Sequence, residues 1–419
     1  MPALIRGRDL RLLLGGQAVS ALGDWMATFA LMALAYDLSG SSAAVGGMLV
    51  LRLIPAGLAG PLVARVVHRW DRRETMLAMD LLRAGMVVLL PLVSALWWVY
   101  VWAFLLELAN LIFLPARDAS IPDLADEETL PTANGLILGS SYGTIPLGAG
   151  AFAVVAALGG GGRGSVAGQP YALVFWIDAL TYLVSWGLLR RITSIERRPA
   201  EAGGGADTGA AGFTRAFRLG LVRGVMPATV AVALGVGTLF SLGIVFVRDV
   251  LGATTAEFGV LIALFGVGAA TGLALVERLG GGQDLVTVRL GVLVQGGVIA
   301  AMSLAPTLAF AFLGAAGFGA GAAIALVAGM GTLQSRLEGD DRVLAFAAFH
   351  VVIRSALSLA ALGAGLAADL VDAVHWPVVG DLEPERVVLL CSGLLVLAGA
   401  SAVYDGGRKV VGDGRRRRH

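Results

Sequence analysis

The chain has 419 residues, 57% hydrophobic and 15% charged, with a formal net charge of +1 and a mean hydropathy of +0.81. A soluble globule carries about a quarter charged residues, so this composition excludes one and places the chain in lipid. The near-neutral balance excludes a general nucleic-acid binder, which needs a large basic excess, and the single cysteine, Cys391 in an apolar run, excludes a disulfide framework.

The N-terminus, MPALIRGRDLRLLLGG, runs straight into an apolar segment without a cleavage site and is expected to be retained. A bilayer core of about 30 Å needs about 20 apolar residues as helix, because lipid leaves no other way to satisfy the backbone. Twelve such spans follow in order: 10–36, 43–66, 74–96, 98–115, 131–158, 171–192, 225–247, 258–277, 286–305, 307–333, 344–368 and 387–404. The predicted fold class is therefore all-α integral membrane, with twelve transmembrane helices in two pseudo-symmetric six-helix bundles.

Basic residues stay on the cytoplasmic side. Arg6, Arg8, Arg11, the run from Arg65 to Arg73, Arg117, Arg278, Arg289, Arg336, Arg342 and the tail RRRR fall on one side, against Arg163, Arg248 and Arg386 on the other. Both termini are expected in the cytoplasm. Residues 1–192 form the first expected bundle, 193–224 a cytoplasmic linker, and 225–419 the second bundle with its basic tail. Within the linker, Phe213, Phe217 and Leu221 recur at helical spacing beside Arg215, Arg218 and Arg223, a pattern that suits a helix lying on the membrane surface.

The halves repeat. SALGD at 20–24 aligns with VALGV at 232–236, HRWD at 68–71 with ERLG at 277–280, and DEETL at 126–130 with GDDRV at 339–343, all at offsets near 210. Parallel repeats of six helices are the arrangement of the two halves of a major facilitator transporter. Five segments, GQAVSALGDWMATFALMALAYDLSGSSAAVG, LRLIPAGLAGPLVARVVHRWDRRETMLAMDLLRA, FLPARDASIPDLADEETLPTAN, FWIDALTYLVS and GTLQSRLEGDDRVLAF, resemble in order the major facilitator branch that contains bacterial macrolide, multidrug and enterobactin exporters.

That resemblance implies a secondary transporter rather than an enzyme: a proton-coupled antiporter for multidrug-type efflux of an amphipathic small molecule by alternating access. The alternative is a facilitator or a lipid or lysolipid flippase of the same fold without proton coupling. The implied setting is the bacterial cytoplasmic (inner) membrane, as a multi-pass monomer with protons, substrate and lipid as partners and no cofactor, metal or nucleic acid.

The loop after the second span looks like the superfamily's gating motif. His68, Arg69, Asp71, Arg72 and Arg73 occupy it, with Glu277 and Arg278 as counterparts in the second half. His68 stands where the family has an acid, so Asp71 or Asp80 is expected to take over the ion pairing, and His68 to add a pH-sensitive charge. GSSYGTIPLGAG resembles the exporters' helix-bend motif through Gly143, Pro146 and Gly148. The G-x-S-x-G within it lacks the preceding strand that a nucleophile elbow requires.

Ionisable groups at the bilayer centre cost about 2.5–3.5 kcal/mol each and are functional candidates. These are Asp24, Arg52, Glu107, Asp178 and Arg354, assigned to proton and substrate coupling. Asp24 and Arg52 are expected to pair, Glu107 to face water or substrate, and Asp178 to be structural. In the second half Val236 stands where Asp24 would be, so proton handling is expected in the first half. Thr238, Phe240, Ser241, Phe246 and Phe265 are expected to shape an apolar wall in the second.

Overall fold

The computed structural model describes residues 7–51, 70–125, 129–159, 171–195, 210–278, 284–374 and 382–415. Among them every regular element is a helix, and eleven helices are long and apolar enough to cross a membrane. Helices α1 (Arg8–Ser39), α2 (Ser42–Leu51), α3 (Arg72–Leu89) and α4 (Leu96–Asp118) come first. Next are α5 (Leu130–Tyr142), α6 (Ile145–Leu158), α7 (Ala172–Leu189) and the short α8 (Ala210–Ala216). The remaining helices are α9 (Gly220–Val245), α10 (Thr255–Arg278), α11 (Leu285–Ser303), α12 (Leu308–Arg336), α13 (Gly339–Val374) and α14 (Pro384–Arg415).

Apolar runs supply the helices, and polar residues set their ends. Asp71 caps α3 by accepting from the Glu74 N–H at 3.0 Å, and Asp284 caps α11 by accepting from Thr287 N at 2.6 Å. Gly40 ends α1 at φ +64°, donating its N–H to Tyr36 O at 2.8 Å, a conformation that favours glycine.

The span expected at 131–158 is two helices. Gly143 and Thr144 interrupt it, with Pro146 in the first turn of α6, where its missing N–H costs nothing. Gly148 serves another purpose: a methyl there would lie 2.7 Å from Trp25 Cβ and 2.9 Å from Leu22 O, so glycine lets α6 lie directly on α1. The segment expected to hold a surface helix contains the short α8. α8 stops at Ala216 and α9 starts at Gly220, so the rings of Phe213 and Phe217 meet, tilted, at 4.9 Å on one side of the break while Leu221 is buried in α9. Arg215 binds Asp341 at 3.2 Å.

The chain forms two compact units. One comprises residues 1–40, 51–203 and 254–263; the other comprises 41–50, 204–253 and 264–419. The start of α2 thus belongs with α13. Asp369 accepts from Ser41 Oγ at 2.5 Å, from Ser42 N at 3.1 Å and from Ala43 N at 3.3 Å. A carboxylate at a helix N-terminus satisfies backbone donors that have no partner within the helix. Gly365 permits the approach, since a methyl there would collide with the backbone of Ser42 and Ala43.

Candidate functional site

α3 reads RRETMLAMDLLRAGMVVL, with Asp80 and Arg83 one turn apart on its buried face. Both are fully enclosed, Asp80 at 0% and Arg83 at 2% exposure. A buried charge must be paired. Arg83 forms an ion pair with Asp80, donates NH1 to Asn110 Oδ1 of α4 at 2.6 Å, and lies over the rings of Phe113 at 4.4 Å and Tyr182 at 4.5 Å.

Tyr182 on α7 extends the cluster by donating its hydroxyl to Asp24 on α1. Asp178, one turn earlier on α7, is buried and accepts from Thr181 Oγ1 at 3.1 Å. Gly23 makes this meeting of α1 and α7 possible, because a methyl there would overlap both Asp178 and Thr181. Asp24 lies within Coulombic reach of Asp80, Arg83, Asp178 and Tyr182. Three carboxyl groups from three helices thus lie near one guanidinium in the first unit, Asp80 paired with it directly.

The sequence-derived candidates divide as follows. Asp24 and Asp178 lie in the cluster, and Asp80, expected at the gating loop, belongs there too: its partner is Arg83. Glu107, expected to face water or substrate, is 7% exposed on α4, three residues before Asn110. Asp24 is the half-buried member, whereas Asp80, Asp178 and Glu107 are buried. Arg354 is exposed on α13, one turn from His350. Arg52, His68 and Arg69 lie outside the described residues.

In the loop expected to gate, Asp71 caps α3, Arg72 binds Asp123 at 2.7 Å and also the Ala119 carbonyl, and Arg73 donates to Arg190 O at 2.6 Å. Glu277 and Arg278 are exposed at the end of α10. Arg117, read from the sequence only as a marker of the cytoplasmic side, is buried and donates NH1 to Gln17 Oε1 at 3.0 Å.

Sequence reasoning passed over Arg83, Tyr182 and Asn110. The signal was the i, i+3 spacing of Asp80 and Arg83 on the side of α3 that also carries Met76, Met79 and Val87. The internal repeat sharpens the point. About 212 positions on, Gly23 corresponds to Gly235, Asp24 to Val236 and Arg83 to Gln295. Gln295 is buried against Gly235 and donates to Val232 O at 3.2 Å. The second unit thus keeps the close packing and replaces the ionisable groups by neutral ones. Thr238, Phe240, Ser241, Phe246 and Phe265, expected as an apolar wall, are buried in its packing; Thr238 and Ser392 share a 2.8 Å hydrogen bond.

Apolar helices of membrane-spanning length, with an ionisable cluster enclosed among them, define a polytopic membrane carrier. The profile of the Major Facilitator Superfamily matches residues 13–362, and the chain belongs to that superfamily. It is a transporter, not an enzyme, with the superfamily's twelve-helix, two-bundle fold. A bacterial homolog of the human lysosomal transporter Spinster, in an inward-facing and unoccupied conformation, is similar over 98% of both chains at a TM-score of 0.76 and 16% identity. The nucleoside transporter NupG is similar over 95% of this chain and 98% of its own at a TM-score of 0.68 and 10% identity. An uncharacterized MFS-type transporter, YfiS of Bacillus subtilis (strain 168), is 29% identical over 133 residues. That aligned stretch spans 32% of this chain and 32% of the relative.

Proposed function

We propose that the chain is a proton-coupled exporter of an amphipathic small molecule, working by alternating access in the bacterial cytoplasmic membrane with both termini inside. The observation that carries this reading is the excess of carboxyl groups around Arg83. Asp80 and Asp178 are both enclosed and Arg83 pairs with the first, so ionising both would hold excess negative charge away from water, at a cost of several kcal/mol per ion. Binding a proton relieves the excess, so the cluster is built to exchange one.

Asp24 is the point of entry, being half-buried while Asp80 and Asp178 are enclosed. Protonating Asp24 removes the negative charge that the Tyr182 hydroxyl and Arg83 face, and so loosens the tie between α1 and α7. The neutral Val236 and Gln295 leave the second half without this exchange, which makes the first half the coupling half. Glu107, buried on the same helix as Asn110, is the residue through which substrate on that helix would sense the proton. Alternating access is by rocking of two bundles, read from the sequence as residues 1–192 and 225–419. Gly143 and Pro146 bend the fifth span, and the loop from His68 to Arg73 serves as the gating loop, with Glu277 and Arg278 its counterparts in the second half. The Bacillus relative supports the bacterial setting.

Accumulation of lipophilic dyes in cells with and without the chain, repeated with a protonophore, tests the reading. Export that collapses with the proton gradient is expected. Export indifferent to it would instead favour a facilitator or a lipid flippase.

A further inference from the structure

In the second unit, α9, α13 and α14 enclose a crevice of about 590 Å³ that the coupling scheme does not use. Both α13 and α14 pack closely along α9 but only loosely against one another. Small residues on α13, Ala360, Gly363, Ala364 and Ala367, keep the space open. At Gly363 an added methyl would meet nothing within 4 Å.

The lining decides the chemistry of an occupant. Its two hydroxyls, Thr238 and Ser392, share a 2.8 Å hydrogen bond, Thr238 also lies 2.9 Å from the Leu234 carbonyl, and the rest is aliphatic apart from the Cys391 thiol. A polar ligand would find few partners here, and water needs two to four. Around the crevice, Leu359, Leu366, Leu370 and Leu394 expose their side chains on α13 and α14, so the mouth is bordered by the apolar surface that these helices show to the bilayer. Lengthwise, the lining on α13 runs from Ala360 to Val371, which at about 1.5 Å per residue is roughly 16 Å. That is about half of a ~30 Å hydrocarbon core, the depth of one leaflet.

We propose that this crevice holds one acyl chain of a phospholipid from the leaflet at the Val371 end of α13. A hydrocarbon tail matches the lining in polarity and length, and restores the dispersion contacts that an empty space of this size would forfeit. It wedges between α13 and α14, so a lipid becomes part of the packing of the second unit. The proposal rests on the membrane-spanning fold and is independent of proton coupling.

The full chain in phosphatidylcholine vesicles, doped with a phosphatidylcholine carrying a diazirine along its tail, tests this by photolysis and mapping of the adducts. Ala364 and Val388 line the crevice and are each less than a tenth exposed, so only a tail inside it reaches them. Adducts on both are expected, alongside those on the exposed Leu180 and Leu183 of α7. Gly363→Leu fills the open space and should abolish the adducts on Ala364 and Val388 while leaving those on α7. Gly187→Leu, at another glycine with open space around it, should change neither. Labelling confined to exposed residues, or crevice adducts that survive Gly363→Leu, would overturn the proposal. So would displacement of the lipid adducts by a lipophilic dye, which would assign the crevice to substrate.

Discussion

Replacing Arg83 with Met keeps the apolar stem and removes the charge. The guanidinium serves Asp80, Asn110 Oδ1 at 2.6 Å and Met79 O at 3.4 Å, and covers the rings of Phe113 and Tyr182. Deleting one partner of a buried ion pair costs about 3–5 kcal/mol, and a desolvated cation over an aromatic ring is worth about 2 kcal/mol. These contributions overlap and do not add, while the Met side chain recovers some packing. A net loss of about 4 kcal/mol is reasonable. Asp80, Asp178 and Asp24 then lose the guanidinium they lie near, and protons relieve the repulsion among them. The loss should therefore be larger at pH 8 than at pH 5, and adding Asp80→Asn should recover part of it. Thermal unfolding of the purified protein in nanodiscs at both pH values measures this; at about 2–4 °C per kcal/mol for a large domain, the fall in Tm is on the order of 10 °C. A variant as stable as the parent, with no dependence on pH, would refute the reasoning that the cluster is held by charge pairing.

Gly23→Ala places a methyl against Asp178 and Thr181 and should cost about 1–3 kcal/mol by overpacking, read as a lower unfolding temperature. Gly187→Ala, with open space, should be neutral or slightly stabilising. Removing the acid with Asp369→Ala uncaps α2 and should cost about 1–2 kcal/mol locally, seen as faster hydrogen exchange at Ser42 and Ala43, the amides it now holds. Asp284 accepts from Thr287 N–H, which holds its carboxyl below the usual range. Its stabilising effect is thus full above about pH 4 and lost as the pH falls through the lowered value. Asp284→Ala should cost about 1 kcal/mol at pH 7, and the difference from the parent should close in strong acid.

Much of the architecture is legible in the sequence because lipid forces each long apolar run into a helix. The break of the fifth span is announced by Gly143 and Pro146, since glycine and proline both weaken a helix interior. The sharing of segments between units is not legible: that residues 41–50 belong with α13 depends on Asp369, which is more than 300 positions away. The site was half readable. Asp24 and Asp178 stand out as isolated acids in apolar runs, but Arg83 sits in LLRAG near Asp80, where a charged pair resembles the end of a span. Tyr182 looks like any aromatic on an apolar face until α1 brings Asp24 against its hydroxyl. Hydropathy weighs residues one at a time, whereas the cluster exists only through the packing of α1, α3, α4 and α7.

The most direct test of proton coupling is made in vesicles holding the purified chain and a pH-sensitive dye, with an exported dye substrate added to one side. The parent should move protons against substrate, while Asp24→Asn should still exchange substrate for substrate but move no protons. Substrate-driven proton movement that persists at the parent's rate in Asp24→Asn would contradict the account.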